Sequence, residues 1–298
     1  MAKHAYLILA HKNFGQLRKL IGLLDHERND IYVHVDAKAV GFNPAEWGSA
    51  ATRSKLVFLP NRINVNWGGV SIMRSELALL KRALADGEHD YYHLLSGLDL
   101  PIKTQPEIHA FFDAHKGAEF INLWNFKKST RTRFSYFTVF PEGEGRFATR
   151  IVNHICKGVQ MAVGFRINRG VDFRFGSQWF SVTHALARYI VEHENWLEKV
   201  FRHTSTCDEI FLPTLVAASP FADRLFVPEP VCNQKEVNLA NMRFIDWTRG
   251  ESIRHPWVFR KSDLPLLESV EHLWARKFDE EVDAEIIDIL YKKLKQDR

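Results

Sequence analysis

One carboxylate in the chain stands where a proton-transfer group would be useful. Glu209 follows the run Thr204-Ser205-Thr206-Cys207-Asp208, and a predicted amphipathic helix over residues 210–217 comes next. Hydroxyl side chains at such a position can accept hydrogen bonds from the free amides of a helix start. A carboxylate there suits a general base, and it equally suits an acid favoured by the helix dipole. The spacing alone leaves both interpretations open.

Two adjacent cations form the second candidate group. Arg276 and Lys277 lie between Trp274 and Phe278, just ahead of the last predicted helix. An Arg fork and a Lys point charge together can hold a diphosphate, although a solvated charge cluster at a helix entry is the usual alternative. Arg254 could add a third positive charge.

Several common chemical signatures are missing from the sequence. It contains no GxxxxGK[ST], GxGxxG, HExxH, CxxC or Asp-x-Asp motif. We therefore expect no metal and no cofactor, and any diphosphate would have to be neutralised by side-chain cations. Among the histidines, His11 directly follows the first predicted strand, so it is the histidine that we would test first for a functional role.

Composition narrows the class of protein. The chain has 298 residues, 46% of them hydrophobic, with a net charge of +4. A chain with this many apolar residues can bury a sizeable core. The mild excess of positive charge suits a small anionic ligand, and it is too small to predict a nucleic-acid partner. Three widely spaced cysteines indicate a reducing compartment. The first apolar run, residues 5–10, is far too short for a signal core or a spanning helix, so we expect a soluble, intracellular protein.

Strands and helices alternate along the first half. We predict strands at 5–10, 31–35, 55–59, 91–95, 119–123 and 179–182, and helices at 17–24, 70–85, 105–115, 184–193, 210–217 and 280–295. This alternation favours an α/β fold with a mostly parallel sheet covered on both faces. Thr104, Thr183 and Pro106 are placed to start helices. We see no linker and predict a single domain over residues 1–298.

The stretch 91–104, YYHLLSGLDLPIKT, changes abruptly from an apolar strand to a corner made by Ser96, Gly97, Asp99 and Pro101. Ligands bind at such carboxyl ends of strands in α/β sheets. Residues 127–150, by contrast, are irregular and rich in Arg, Lys and Phe. We interpret them as an acceptor-facing insertion or a variable loop.

Eight segments, in order and spacing, resemble one known family. They are AYLILAHKN, IYVHVDAK, NWGGVSI, YYHLLSGLDLPIKT, GSQWFSVT, TCDEIF, FIDW and WARKFD. The chain is similar over nearly its whole length to the core-2/I-branching β-1,6-N-acetylglucosaminyltransferases and the related peptide O-xylosyltransferases. The resemblance implies an inverting, metal-independent glycosyltransferase with a GT-A-like variant fold, a Rossmann-like nucleotide-binding half and a UDP-sugar donor.

The resemblance also implies roles for individual residues. Glu209 falls on the catalytic base, and the remaining matches fall on the binding sites for the two substrates. The expected diphosphate contacts are Arg276, Lys277 and, less directly matched, Arg254; the expected uridine-pocket residues are Asp36 and Trp67; His11 and Gln178 are further donor-site candidates; and Trp247 is expected to line the acceptor site. Asp99 is a candidate for a supporting role.

The resemblance divides the domain into a nucleotide-binding half, about residues 1–125, and an acceptor and catalytic half, about 126–298. Two departures concern the acceptor: Cys207 stands where relatives often have another residue, and residues 127–150 have no matching counterpart. N-acetylglucosamine is the favoured donor sugar, while xylose, glucose and galactose remain open. The expected acceptor is a hydroxyl of a glycan or a lipid-linked glycan.

Three functional hypotheses follow. The first is a cytoplasmic glycosyltransferase that builds a surface polysaccharide or glycolipid. The second is a sugar-nucleotide or glycan-binding homologue that has lost transfer, which the presence of Glu209 disfavours. The third, compatible with the first, adds peripheral contact between residues 127–150 and an anionic membrane.

Overall fold

The computed structural model describes residues 3–124, 132–142, 147–228, 230, 234–249 and 255–296. The strands are β1 His4–Ala10, β2 Asn29–Val35, β3 Lys55–Phe58, β4 Tyr91–Ser96, β5 Asp99–Pro101, β6 Ser181–Thr183, β7 Arg243–Ile245 and β8 Trp274–Arg276. The helices are α1 Phe14–Leu24, α2 Val70–Asp86, α3 Gln105–Ala114, α4 Thr132–Ser135, α5 Phe147–Ala162, α6 His184–Glu192, α7 Glu194–Phe201, α8 Phe211–Ala217, α9 Gln234–Asn241, α10 Leu264–Ser269 and α11 Ala284–Gln296.

A five-stranded sheet with the order β3-β2-β1-β4-β6 forms the centre of the fold. The first four strands in this order run parallel, and only β6 is antiparallel to its neighbour. Parallel strands need crossover connections, and here helices α1 and α2 supply two of them. The predicted α/β fold class, with a mostly parallel central sheet flanked by helices, is confirmed.

The central sheet is buried on both faces. In β4, Tyr92 and Leu94 join one apolar cluster, while Tyr91 and Leu95 join the cluster on the opposite face. This alternation follows from the two-residue period of a strand. Because each fully buried side chain of this size contributes roughly 1.5–3 kcal/mol, the sheet is a rigid base for residues at its edge.

A second, smaller sheet has the order β5-β8-β7. Its strand β5 begins at Asp99, directly after the Gly97-Leu98 turn that ends β4. Strand β8 lies antiparallel to β5, with Asp99 opposite Arg276. The C-terminal part of the chain is thereby brought to the carboxyl edge of the central sheet.

Three local predictions are wrong. No regular strand forms at 119–123; Glu119, Phe120 and Trp124 make single bridges to three different segments, so no continuous ladder can develop. Residues 127–150 are not wholly irregular, because their described part contains α4 and the start of α5. Helix α8 is not amphipathic, since residues 211–216 are all buried.

Helix starts match the sequence in two of three cases. Thr104 forms a capping box with Glu107, and the Thr183 hydroxyl accepts the N–H of Leu186. The expected hydroxyl cap ahead of Glu209 is wrong: Thr206 has φ 53° and makes no side-chain cap hydrogen bond. None of the described helices is long and apolar enough to cross a membrane.

Candidate active site

A cleft of about 440 Å³ opens at the carboxyl edge of the central sheet. His11 follows β1, Asp36 follows β2 and Ser96 ends β4. These three strands are parallel neighbours, so their carboxyl ends converge and the side chains that follow them share one opening. The lining residues that the following paragraphs discuss are His11, His34, Asp36, Lys38, Trp67, Gln178, Trp179 and Arg276.

The wall that ends β2 is held by hydrogen bonds to the main chain. The carboxylate of Asp36 accepts the N–H of Lys38 at 2.8 Å. The guanidinium of Arg62 donates to the carbonyl oxygens of Val35 and Asp36. Burial lowers the pKa of His34 to about 4, so its neutral ring can accept the N–H of Ile63 at 2.8 Å. This wall therefore keeps its shape without a ligand.

Arg276 enters the cleft from the second sheet and is fixed on two sides. Its guanidinium donates to Oδ1 of the buried Asp99 at 2.7 Å and lies 4.4 Å from the ring centre of Trp179. The other oxygen of Asp99 accepts the N–H of Ser96 at 2.8 Å. Asp99 thus ties the corner after β4 to the cation that faces the ligand space. An Arg held in this way is preorganised for an anionic partner.

Positive charge accumulates beside Arg276. The pKa of Lys277 is lowered by burial and by the adjacent Arg276. The pKa of His11 is lowered by removal of water from the ring and by the cations Lys12 and Arg276. Within the described ranges, no carboxylate lies within salt-bridge distance of the Lys277 ammonium. Lys12 differs, because Asp279 accepts from its ammonium at 2.9 Å. An anion bound here would relieve the repulsion between Arg276 and Lys277.

Trp67 forms part of the rim. Its side chain is 71% exposed, on a turn in which Gly68 has φ 71°. The hydroxyl and the N–H of Ser71, at the start of α2, both donate to the carboxylate of Glu142. The segment before α5 is thereby attached to this rim.

Glu209 does not line the cleft, but its loop is bonded to residues beside it. The N–H of Thr206 donates to the carbonyl of Gly68 at 2.9 Å, next to Trp67. The carbonyl of Glu209 accepts the N–H of Gly176 at 2.8 Å, two residues before Gln178. Burial and the neighbouring Asp208 raise the pKa of the Glu209 carboxyl to about 8, while Arg133 opposes the rise. A carboxylate with a raised pKa can take a proton near neutral pH.

A buried glutamate that the sequence-based prediction missed lies behind Gln178. The amide of Gln178 donates to Oε1 of Glu76 at 2.8 Å. Glu76 is fully buried, and burial raises its pKa well above the usual range. The available signal was a carboxylate on α2 beside apolar Met73 and Leu77. Glu76 holds the orientation of an amide that lines the cleft.

The structure brings together His11, Asp36, Trp67, Gln178 and Arg276 in one cleft, with Lys277 next to Arg276. Glu209 lies in the adjoining loop. Trp247, placed at the acceptor site by the sequence, is 44% exposed after β7 and does not line this cleft. Arg254 lies outside the described residues.

The arrangement provides an anion-binding face, a largely apolar chamber and a nearby carboxyl group of raised pKa. Among the residues that the structure describes, no three His, Cys, Asp or Glu side chains are grouped as metal ligands would be. These groups can bind a diphosphate and remove a proton from a nucleophile, which are the two requirements of sugar transfer from a nucleotide donor.

Comparison with known proteins relates the chain to glycosyltransferases. Xylosyltransferase 2 of Rattus norvegicus is 26% identical over 308 residues, covering 97% of this chain and 33% of the relative. Xylosyltransferase of Ciona intestinalis is 23% identical over 309 residues, covering 97% of this chain and 34% of the relative. The chain therefore spans about a third of the length of these curated relatives. The crystal structure of mouse xyloside xylosyltransferase 1, apo form, aligns with a TM-score of 0.38 and 11% identity over 92% of this chain and 97% of that one.

The family comparison covers most of the sequence. The model of the Core-2/I-Branching enzyme family matches residues 4–269. This match extends from β1 through α10 and includes seven of the eight segments on which the predicted resemblance rests. The predicted family is confirmed: the chain belongs to the Core-2/I-Branching enzyme family.

Proposed function

We propose that the protein is an inverting glycosyltransferase that moves a sugar from a UDP-sugar to a hydroxyl of a glycan or a lipid-linked glycan. Membership of the Core-2/I-Branching family and similarity to xylosyltransferases support this proposal. The observation that carries it is the cleft at the carboxyl edge of the sheet, where Asp36 and Arg276 face the same space and the Glu209 loop adjoins.

In the proposed reaction, UDP lies with its uridine against Asp36 and Trp67 and its diphosphate against Arg276 and Lys277. Glu209 removes the proton from the acceptor hydroxyl as that oxygen forms a bond to the anomeric carbon. The bond from this carbon to the UDP oxygen breaks on the opposite face, and its electron pair leaves with UDP. The configuration at the anomeric carbon is therefore inverted.

The departing UDP gains negative charge, which fixed cations can stabilise without rearrangement. We propose that Arg276 and Lys277 carry this task and that transfer needs no metal ion. Arg276 is already oriented by Asp99 and Trp179, so it need not reorganise when the bond breaks. The proposed role of Arg254 as a third cation stays a prediction.

The donor sugar has two leading candidates. N-acetylglucosamine is favoured by the resemblance to the branching enzymes, whereas the curated relatives reported above are named xylosyltransferases. Gln178 lines the cleft with its amide held by Glu76, and we propose that it contacts the sugar. A change at Gln178 should therefore alter the preference between donors more than the affinity for UDP.

A panel of UDP-sugars tests the proposal. Each donor is scored for UDP release with candidate acceptors and for thermal stabilisation, since a ligand that binds the native state raises the apparent stability. We expect UDP-xylose or UDP-N-acetylglucosamine to produce both signals. Stabilisation without transfer under any acceptor would favour the non-catalytic binding homologue, and absence of both signals would refute the proposal. The cytoplasmic location stays a prediction.

A further inference from the structure

Helix α5, Phe147–Ala162, exposes its apolar side, whereas an ordinary surface helix buries it. Such a helix normally buries its apolar stripe and exposes its polar side. Here none of the described residues of the helix is buried. Phe147, Ile151, Ile155 and Val159 follow one another at four-residue spacing, and they are 79%, 43%, 60% and 58% exposed. Val163 continues the row beyond the helix and is 71% exposed.

Polar side chains attach the other side of the helix to the protein. Asn153 donates to the carbonyl of Phe140 and accepts its N–H. Gln160 forms the same pair of bonds with Phe137, at 2.8 and 2.7 Å. Two side chains with defined hydrogen bonds thus hold the helix in place, so its outward apolar row is a property of the fold.

Along this stretch of the chain the charged side chains have one sign; the preceding Glu142 lines a cavity together with Thr149, and its carboxylate accepts hydrogen bonds from Ser71. Residues 147–171 contain Arg150, Lys157, Arg166 and Arg169 but no Asp or Glu. Three of these cations, the arginines, are exposed. An amphipathic helix with basic residues beside an apolar face lies in the interface of an anionic bilayer. A second copy of the chain would present the same cations, so repulsion opposes a self-association through this face.

We propose that α5 and the residues up to Phe165 form a docking surface for an anionic phospholipid bilayer. The apolar row from Phe147 to Val163 enters the headgroup boundary, and Arg150 and Arg166 contact lipid phosphates. This surface is adjacent to the proposed transfer site: Thr149 of α5 lines a second cavity whose lining also includes Lys38, a residue that lines the donor cleft as well. A lipid-linked acceptor in the bilayer would thus be brought to the cleft opening.

This location refines the predicted contact through residues 127–150. Within the described part of that segment, Phe134 and Tyr136 are buried in the core, so they are unavailable to lipid. Phe140 and, at the far end of the segment, Phe147 are the large aromatic side chains exposed in this described part, at 43% and 79%. The membrane surface therefore continues into α5 beyond the segment that the composition indicated.

Flotation with protein-free vesicles tests the proposal, and it needs neither donor nor acceptor. Vesicles of phosphatidylcholine with phosphatidylglycerol should carry the wild-type protein upward, and vesicles of phosphatidylcholine alone should carry much less. The double variant Ile155→Glu with Val159→Glu should reduce the bound fraction at least about tenfold, because two charges would have to enter the apolar boundary. Arg150→Gln with Arg166→Gln should weaken binding about 30-fold, and added salt should reproduce this loss.

Val282→Glu is the matched control, since this valine is 48% exposed outside the proposed surface. Neither it nor the Ile155/Val159 double variant should change the thermal midpoint, because these side chains contact little of the protein. Equal binding by the double variant, or no binding of the wild type to anionic vesicles, overturns the proposal. A lipid-independent dimer that the same double variant dissociates would assign the surface to self-association instead. Because soluble-acceptor transfer is measured separately, failure here leaves the proposed reaction standing.

Discussion

Replacing Glu209 by Gln separates its proposed catalytic role from its effect on stability. The substitution keeps the shape of the side chain and removes the ability to take a proton. A positioned base is typically worth about 10²–10⁴-fold in rate, so we expect transfer to fall by that factor while UDP binding is retained. In the wild type, activity should rise with pH, reach half its maximum near pH 8, where half of the Glu209 carboxyl groups have lost their proton, and level off above that pH.

The same variant should be more stable than the wild type at alkaline pH. In the native protein the pKa of Glu209 is raised from 4.5 to about 8, so the native state keeps a proton that the unfolded chain releases. The free energy of unfolding therefore falls as pH rises between these two values, and the loss is complete above about pH 8. The shift has an upper limit of about 5 kcal/mol at 1.36 kcal/mol per pH unit.

Because solvent reaches part of this carboxyl group, screening reduces the effect, and we expect a gain of about 1–3 kcal/mol for the variant at pH 9. This corresponds to an increase of about 2–6 °C in the thermal midpoint. Thermal unfolding at pH 5 and pH 9 measures it, with the exposed Glu271→Gln as a control that should show no change. A variant with near-normal turnover refutes the base assignment. A variant without the alkaline gain refutes the burial argument.

Three further predictions concern the donor site. Asp99→Asn removes the charge that orients Arg276; we expect UDP affinity, measured by calorimetry, to fall about tenfold or more, and unchanged affinity would show that the pair does not position the cation. Transfer should persist in EDTA because Arg276 and Lys277 neutralise the diphosphate, and a complete loss restored by a divalent cation would contradict the cation mechanism. Glu76→Gln should preserve the hydrogen bond to Gln178 and raise stability at high pH. Glu76→Leu should leave the Gln178 amide without this bond and change the ratio of the transfer rates with UDP-xylose and UDP-N-acetylglucosamine. If both variants show the same ratio of rates, Gln178 does not select the donor sugar.

The sequence predicted the parts of this fold that depend on local pattern. The strand-helix alternation and the caps at Thr104 and Thr183 follow from periodicity and local composition, whereas the donor-site expectation for His11 and Asp36 came from the family resemblance. Contacts between distant segments could not be predicted in this way. That Arg276 is the partner of Asp99 follows only from the pairing of β8 with β5. That Glu76 bonds Gln178 follows only from the tertiary packing that brings these two residues together.

The outward orientation of the apolar side of helix α5 could not be predicted from the sequence, for a different reason. Its pattern is amphipathic, and an amphipathic pattern by itself indicates a helix that buries its apolar side. Only the hydrogen bonds of Asn153 and Gln160 show which side faces the protein. Similarly, the run before Glu209 has the composition of a hydroxyl cap, but the backbone of Thr206 turns into the left-handed region and prevents it.

The pairing of Asp99 with Arg276 also bears on how the protein acquires its ligand site. The two residues are 177 positions apart in the chain, and β8 is the middle strand of its sheet. Closing so long a loop is entropically costly and belongs to the slower, non-local part of folding. During synthesis, the anion-binding face cannot be assembled until the residues through β8 have left the ribosome. Nucleotide binding would therefore report that β8 has joined β5, and chains shortened before β8 should lack it.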